Sequence, residues 1–225
     1  MCLTRSCRGT ASGGTTCAWD RPRLSSTAFW TDNQVGGPYA TLDESQQALD
    51  HRANLYPSLH DLMPVAHQGK TVLDYGCGPG HDTILFCQHG AGHVYYHDIS
   101  PLALEIVDAR LDMHGLADRA SPGLPQHADH IHCAGVLHHT EDPDGILQSF
   151  RHVLNDGGEA RVMIYDGERS TITQSKVPIT LWWTEAQFQE LCLDAGFVAL
   201  YVGGYDCSAP WRPDCMAACY TLTPC

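Results

Sequence analysis

The run Val72-Leu73-Asp74-Tyr75-Gly76-Cys77-Gly78-Pro79-Gly80-His81-Asp82 constrains this chain more than any other stretch. Thr71 to Leu73 is a short apolar run that reads as a buried strand, and three glycines follow it at alternate positions. A helical pattern resumes at Asp82, with Ile84, Leu85 and Cys87 on one face. Strand, glycine turn and helix in that order make the small-molecule site of an α/β sheet. Glycine lets backbone approach a ligand, and the helix N-terminus offers unpaired N–H groups. The next strand, His93 to His97, ends in Asp98, 18 residues beyond Gly80 (98 − 80). In such units an acidic side chain meets a ribose at roughly 20 residues.

Two rival readings of the glycines fail on spacing. A dinucleotide-binding G-x-G-x-x-G needs glycine where His81 stands, and has no use for Asp74 ahead of the turn. Gly69-Lys70-Thr71 imitates the end of a phosphate-binding loop. Its first glycine falls on Pro64, and the tripeptide precedes the strand instead of following it.

At 225 residues the chain is long enough for one α/β domain with an ample core. Its 13 basic against 26 acidic residues give a formal charge of −13, a field that argues against nucleic acid or anionic membrane as the main partner. No apolar run approaches the ~18 residues of a membrane span. The 11 cysteines are odd in number and contain no C-x-x-C pair, so the chain reads as reduced and cytoplasmic. Cys77, Cys87, Cys133 and Cys192 fall on expected structured positions and serve as small hydrophobes. Cys207, Cys215, Cys219 and Cys225 crowd the C-terminus but match no common zinc spacing. No metal is expected.

Residues 1–28 are rich in Ser, Thr, Gly and Arg, lack an amphipathic period, and read as a disordered tail ahead of one domain at 29–225. Within that domain, 29–68 holds leading helices. Asp43 to Leu62 forms one or two of them, broken at Pro57. Pro101 opens a further helix, with Ser100 placed to cap it. Alternating strand and helix call for a parallel sheet with right-handed crossovers. Between Gly115 and Asp129, however, the chain is short and prolyl, without a β run, so the third strand is expected to be short or missing. Asp129 to Cys133 is the fourth strand, Asp144 to Leu154 a core-facing helix, and Glu159 to Tyr165 the fifth strand. Gly167 to Trp183 is an irregular connection whose apolar surface is the pair Trp182-Trp183. Thr184 caps a last helix, and Phe197–Gly203 and Met216–Thr221 close the sheet. His138 and His139 lie in the exit loop of the fourth strand, where open α/β sheets bind ligands. Each can serve as general base, substrate ligand or loop hydrogen-bonder.

Asp74-x-Gly76-x-Gly78-x-Gly80, Asp98-Ile99-Ser100, Gly135-Val136-Leu137-His138-His139-Thr140 and Val153-Leu154-x-x-Gly157-Gly158 succeed one another in order. Together they resemble the class I S-adenosylmethionine-dependent methyltransferases, and within them the small-molecule type 11 group. The likeness runs from about Tyr39 to Phe197. It implies a Rossmann-like α/β fold, a mostly parallel sheet with an antiparallel C-terminal strand. It implies S-adenosylmethionine as cofactor and a small-molecule acceptor methylated on oxygen or nitrogen. By this resemblance Gly76, Cys77, Gly78 and Gly80 meet the cofactor's amino-acid portion and Asp74 supports the turn. Asp98 takes the ribose, beside Ile99. Ala134, Gly135 and Val136 line the far side, and the leading helices bring Tyr39 and Arg52 to the amino-acid end. His138, His139 and Tyr165 are candidates on the acceptor side, and Asp118 is the residue that would reach the adenine if a third strand placed it. Two other classes stay open: a cofactor-binding protein without catalysis, and an NAD- or sugar-nucleotide-linked enzyme.

Overall fold

The computed structural model describes residues 26–55, 57–168, 177–206 and 216–225. Seven strands form one sheet in the order β3-β2-β1-β4-β5-β7-β6. They are β1 (Thr71–Tyr75), β2 (His93–His97), β3 (Ala120–Pro122), β4 (Ala128–Ala134), β5 (Leu154–Tyr165), β6 (Phe197–Asp206) and β7 (Met216–Pro224). The pairings β1–β2, β1–β4, β2–β3 and β4–β5 are parallel, and β7 runs antiparallel to both β5 and β6.

Among the described residues seven helices flank the strands: α1 (Ser26–Asp32), α2 (Leu42–Leu55), α3 (Pro57–Leu62), α4 (His81–Gln88), α5 (Pro101–His114), α6 (Pro143–Val153) and α7 (Glu185–Asp194). Successive strand residues face opposite sides of a sheet, and β1 does so. Leu73 joins a core with Phe150 of α6 and Phe188 of α7, while Val72 joins another with Phe86 of α4 and Val107 of α5. Both faces are therefore covered, as a parallel sheet requires. The caps agree with the sequence. Ser100 accepts from the Ala103 amide at 3.3 Å, and Thr184 forms a reciprocal capping box with Gln187.

Two expectations change, and one of two alternatives is decided. The third strand, expected to be short or missing, is short: Ala120, Ser121 and Pro122 pair in parallel with Val94, Tyr95 and Tyr96. Three residues suffice because the strand sits at the sheet edge, where Pro122 forfeits no central ladder bond. Helix α1 takes in Ser26, Thr27 and Ala28, which sequence composition assigns to the tail; residues 1–25 lie outside the described part. The pair Trp182-Trp183 is divided. Trp182 stacks on Tyr165, and Trp183 packs against the core beside Phe188.

Candidate active site

A cavity of about 1120 Å3 opens where β1, β2, β4 and β5 end, and Tyr75, His97, Ala134 and Tyr165 from those ends line it. This is where an open α/β sheet binds ligands, since the strand ends and helix N-termini there leave backbone groups unpaired. The glycine turn forms one wall. Gly76, Gly78 and Gly80 have φ of 75°, 51° and 75°, a region that costs other residues strain. Their surroundings differ. A Cβ at Gly76 would stand 2.2 Å from Val136 Cγ2, and one at Gly80 would stand 2.7 Å from Val107 Cγ2. A Cβ at Gly78 would meet nothing within 4 Å. Gly76 and Gly80 are small for packing, whereas Gly78 presents bare backbone to the cavity. Gly80 itself does not line it.

Asp98 comes directly after β2 and braces the turn, accepting from the Gly78 amide and the Ser100 amide at 2.9 Å each. Asp74 is 3% exposed and accepts from the Thr83 hydroxyl at 2.6 Å. Burial raises its carboxyl to about 6, against the pull of His132 and with the push of Asp82. Cys77 is buried, and burial with Asp74 and Asp98 nearby pushes its thiol well above the usual value, so it lines the wall as a neutral group. Ile99, 44% exposed, and Val136 add apolar surface.

Arg52 of α2 reaches the cavity already engaged. Its Nε donates to Asp82 Oδ1 at 3.0 Å and its terminal nitrogen to Asp82 Oδ2. Asp82 also meets His132 Nε2 at 3.0 Å. Burial drives Asp82 upward, but Arg52 and His132 outweigh it and hold the carboxyl well below the usual range. Tyr39 lines the cavity with its hydroxyl 3.4 Å from His81 Nε2. Five carboxylates (Asp74, Asp82, Asp98, Glu141 and Asp142) face one guanidinium, Arg52, among the described lining residues.

The two histidines after β4 part company. His139 lines the cavity, beside Trp30 of α1 at 5.4 Å between ring centres. Its Nδ1 lies 2.9 Å from the Ile179 carbonyl, which can only accept, so Nδ1 carries the proton and Nε2 is the basic nitrogen. His138 is fully buried, does not line the cavity, and stacks on Tyr165 at 3.8 Å. No residue between 116 and 126 lines the cavity, and Asp118 is exposed on a 3-10 turn (Ala117–Arg119) outside it.

A family model described as a methyltransferase domain matches residues 48–200, well over half of the chain. The chain belongs to the class I S-adenosylmethionine-dependent methyltransferases. The fold agrees. Magnesium protoporphyrin IX methyltransferase from Synechocystis PCC 6803, solved with bound SAH, superposes with a TM-score of 0.57 at 16% identity, covering 84% of this chain and 90% of that one. Among curated relatives, a tRNA U34 carboxymethyltransferase of Shewanella halifaxensis is 26% identical over 174 residues, 65% of this chain and 52% of that protein. A ubiquinone biosynthesis O-methyltransferase of Paraburkholderia xenovorans is 32% identical over 133 residues, 52% of this chain and 56% of that protein. The chain thus spans about half the length of these two relatives.

The cavity's lining is compatible with S-adenosylmethionine, the cofactor that family membership implies. Gly78 leaves open the volume a Cβ would fill, Ile99 and Val136 offer apolar faces for a base, and the excess of carboxylates suits a ligand bearing a sulfonium. At about 1120 Å3 the cavity stands just past the upper end of the roughly 300–1,000 Å3 of pockets that hold one drug-sized ligand, ample for the cofactor.

Three features escaped the sequence. Trp30 is brought over the cavity by α1, Arg52 is paired with Asp82, and Arg110 of α5 is buried behind the glycine turn. Only Arg110 left a signal: an arginine on the same helix stripe as the apolar residues Ile106, Val107 and Leu111.

Proposed function

We propose that this methyltransferase binds S-adenosylmethionine through Gly78, Asp98 and Ile99 and methylates an uncharged oxygen or nitrogen of a small molecule. The observation that supports the acceptor class is the balance of charge among the described lining residues, five carboxylates to one guanidinium that is already paired. A polyphosphate chain would be repelled there, as it would by the net charge of −13. Transfer of a carboxymethyl group, the chemistry in one relative's name, brings a second carboxylate at the transferring end; the one guanidinium among the described lining residues, Arg52, is committed to Asp82, and Arg110 stands behind the glycine turn.

When bound, the cofactor supplies a methyl group on a positive sulfur, ready for in-line displacement. The chain's own part is placement and dryness. Gly78 and Asp98 hold one end of the cavity in register, the second through a 2.9 Å bond to the first. Trp30, His139 and Tyr165 wall off the acceptor end. Where the acceptor carries a proton, Nε2 of His139 removes it, with the ring oriented by the Ile179 carbonyl. His138 takes no proton in this scheme and acts as the plate against which Tyr165 stacks.

The reading is tested with methyl-tritiated S-adenosylmethionine offered to a small-molecule extract and, separately, to a tRNA pool. Label is expected in the small-molecule fraction. Label in tRNA overturns the acceptor class. Binding of S-adenosylhomocysteine without transfer to either pool favours a cofactor-binding protein, and preference for NAD in the same titration removes the cofactor assignment.

A further inference from the structure

Arg110 is among the largest fully buried side chains of the fold, 1% exposed, yet its hydrogen bonds go to no carboxylate. Its Nε donates to Ser45 Oγ at 2.8 Å, one terminal nitrogen to the Ser45 carbonyl at 3.1 Å, and the other to the Pro79 carbonyl at 2.5 Å. Its guanidinium carbon lies 4.5 Å from the centre of the Tyr39 ring. All four partners are neutral. Burial lowers the group to about 10, which leaves it positive at neutral pH. A buried charge costs several kcal/mol unless something compensates it, and hydrogen bonds to carbonyls do so only in part.

Two of those partners, Pro79 and Tyr39, line the cavity, so the charge stands one residue behind its wall at the glycine turn. On the cavity side the other cation, Arg52, is neutralised by Asp82. Arg110 is then the one guanidinium near the turn whose field is not cancelled by an acidic partner among the described residues. In a low-dielectric site such a field reaches across a single residue with little screening. Resting on the S-adenosylmethionine assignment, we infer that Arg110 is a positioning residue for the carboxylate of the cofactor's amino-acid end. It holds the turn through Pro79 and supplies, from behind it, the positive charge that the carboxylate faces.

The test compares S-adenosylhomocysteine with its decarboxylated analogue by calorimetry in wild type, Arg110→Lys, Arg110→Gln and Ser45→Ala. Glutamine keeps an N–H for Pro79 but no charge, and lysine keeps the charge. The preference for the carboxylate-bearing ligand is expected to fall at least tenfold in Arg110→Gln and to stay within threefold of wild type in Arg110→Lys. Ser45→Ala removes the hydroxyl that Arg110 and His114 share, without touching Pro79. It is expected to lower the melting temperature and leave the preference unchanged. Equal weakening of both ligands in Arg110→Gln, or loss of preference in Ser45→Ala, overturns the inference and leaves a merely structural arginine. Should Arg110→Gln not fold, wild type decides. The Arg110 Nε–H resonance, identified by its absence in Arg110→Lys, must move with S-adenosylhomocysteine and stay put with the analogue. Failure of wild type to bind S-adenosylhomocysteine at all would instead sink the cofactor assignment.

Discussion

Gly76 and Gly78 share a conformation and differ in what surrounds them, so their substitutions should separate stability from binding. Valine at Gly78 incurs about 1–2 kcal/mol of left-handed strain but meets no neighbour within 4 Å of its Cβ. Gly78→Val is expected to stay folded by circular dichroism and lose S-adenosylhomocysteine binding in calorimetry. A folded Gly78→Val that still binds would show the turn to be structural only. Alanine at Gly76 drives a Cβ to 2.2 Å from Val136, a stiff β-branched side chain. Gly76→Ala is expected to cost about 1–3 kcal/mol of stability, the usual effect of overpacking plus strain, read as a lower urea midpoint. Asp98→Ala should weaken S-adenosylhomocysteine by about 1.5–3 kcal/mol, since the carboxylate is lost both as acceptor and as brace for Gly78. Unchanged affinity in a folded Asp98→Ala would take Asp98 out of the ribose role.

Among the elements, β3 has the sharpest consequence. Its three residues extend the sheet past β2, but nothing from 116–126 reaches the cavity, so no side chain there selects the adenine amino group. A site that hydrogen-bonds a group rejects analogues lacking it strongly, whereas an apolar wall, of the kind that Ile99 and Val136 contribute to the cavity, does so weakly. S-adenosylhomocysteine lacking the adenine amino group should therefore bind within roughly tenfold of the parent, about 1.4 kcal/mol. A hundredfold loss in the same calorimetric titration would mean that a polar group from elsewhere reaches the base. Helix α1 acts in the opposite sense: only seven residues long, it contributes Ser26, Thr27 and Trp30 to the cavity wall.

Taken as a whole, the molecule buries imidazole on a large scale. His60, His67, His81, His97, His114 and His130 are all lowered from 6.5, in each case chiefly by burial, and His81 falls to about 3. A base with a depressed folded pKa contributes stability that is full above its unfolded value and is lost as pH falls below it. Asp74 works the other way. Raised from 3.8 to about 6, it favours the fold below 3.8 and loses that contribution as pH rises through about 6. Six imidazoles against one carboxylate leave the unfolded chain binding more protons below pH 6.5, so stability should fall from pH 7 to pH 5. Urea midpoints across that range check this, and a flat or rising trend would refute it.

What the sequence by itself determined is local: the strand–glycine–helix unit, the caps at Ser100 and Thr184, the break at Pro57, and Asp98 at the end of its strand. Each depends on side chains within a few positions of one another, where period, propensity and φ preference decide the outcome. The brevity of β3 was legible too, because Pro122 ends the run that Ala120 begins. Its pairing was not, since three residues carry too little pattern and their place is set by the open edge of β2. Only the tertiary structure decided which histidine faces the cavity. His138 and His139 are neighbours in the chain, and a short 3-10 turn sends one under Tyr165 and the other to the wall. The same holds for Arg52, committed to Asp82 across 30 residues, and for Arg110, tied to Pro79 and Ser45 across 31 and 65 residues. The apolar stripe of its helix signals that Arg110 is buried, but partners so far apart along the chain have no local signature. The roles of the two arginines arise when packing removes water and leaves each with whatever partner the fold has brought within reach.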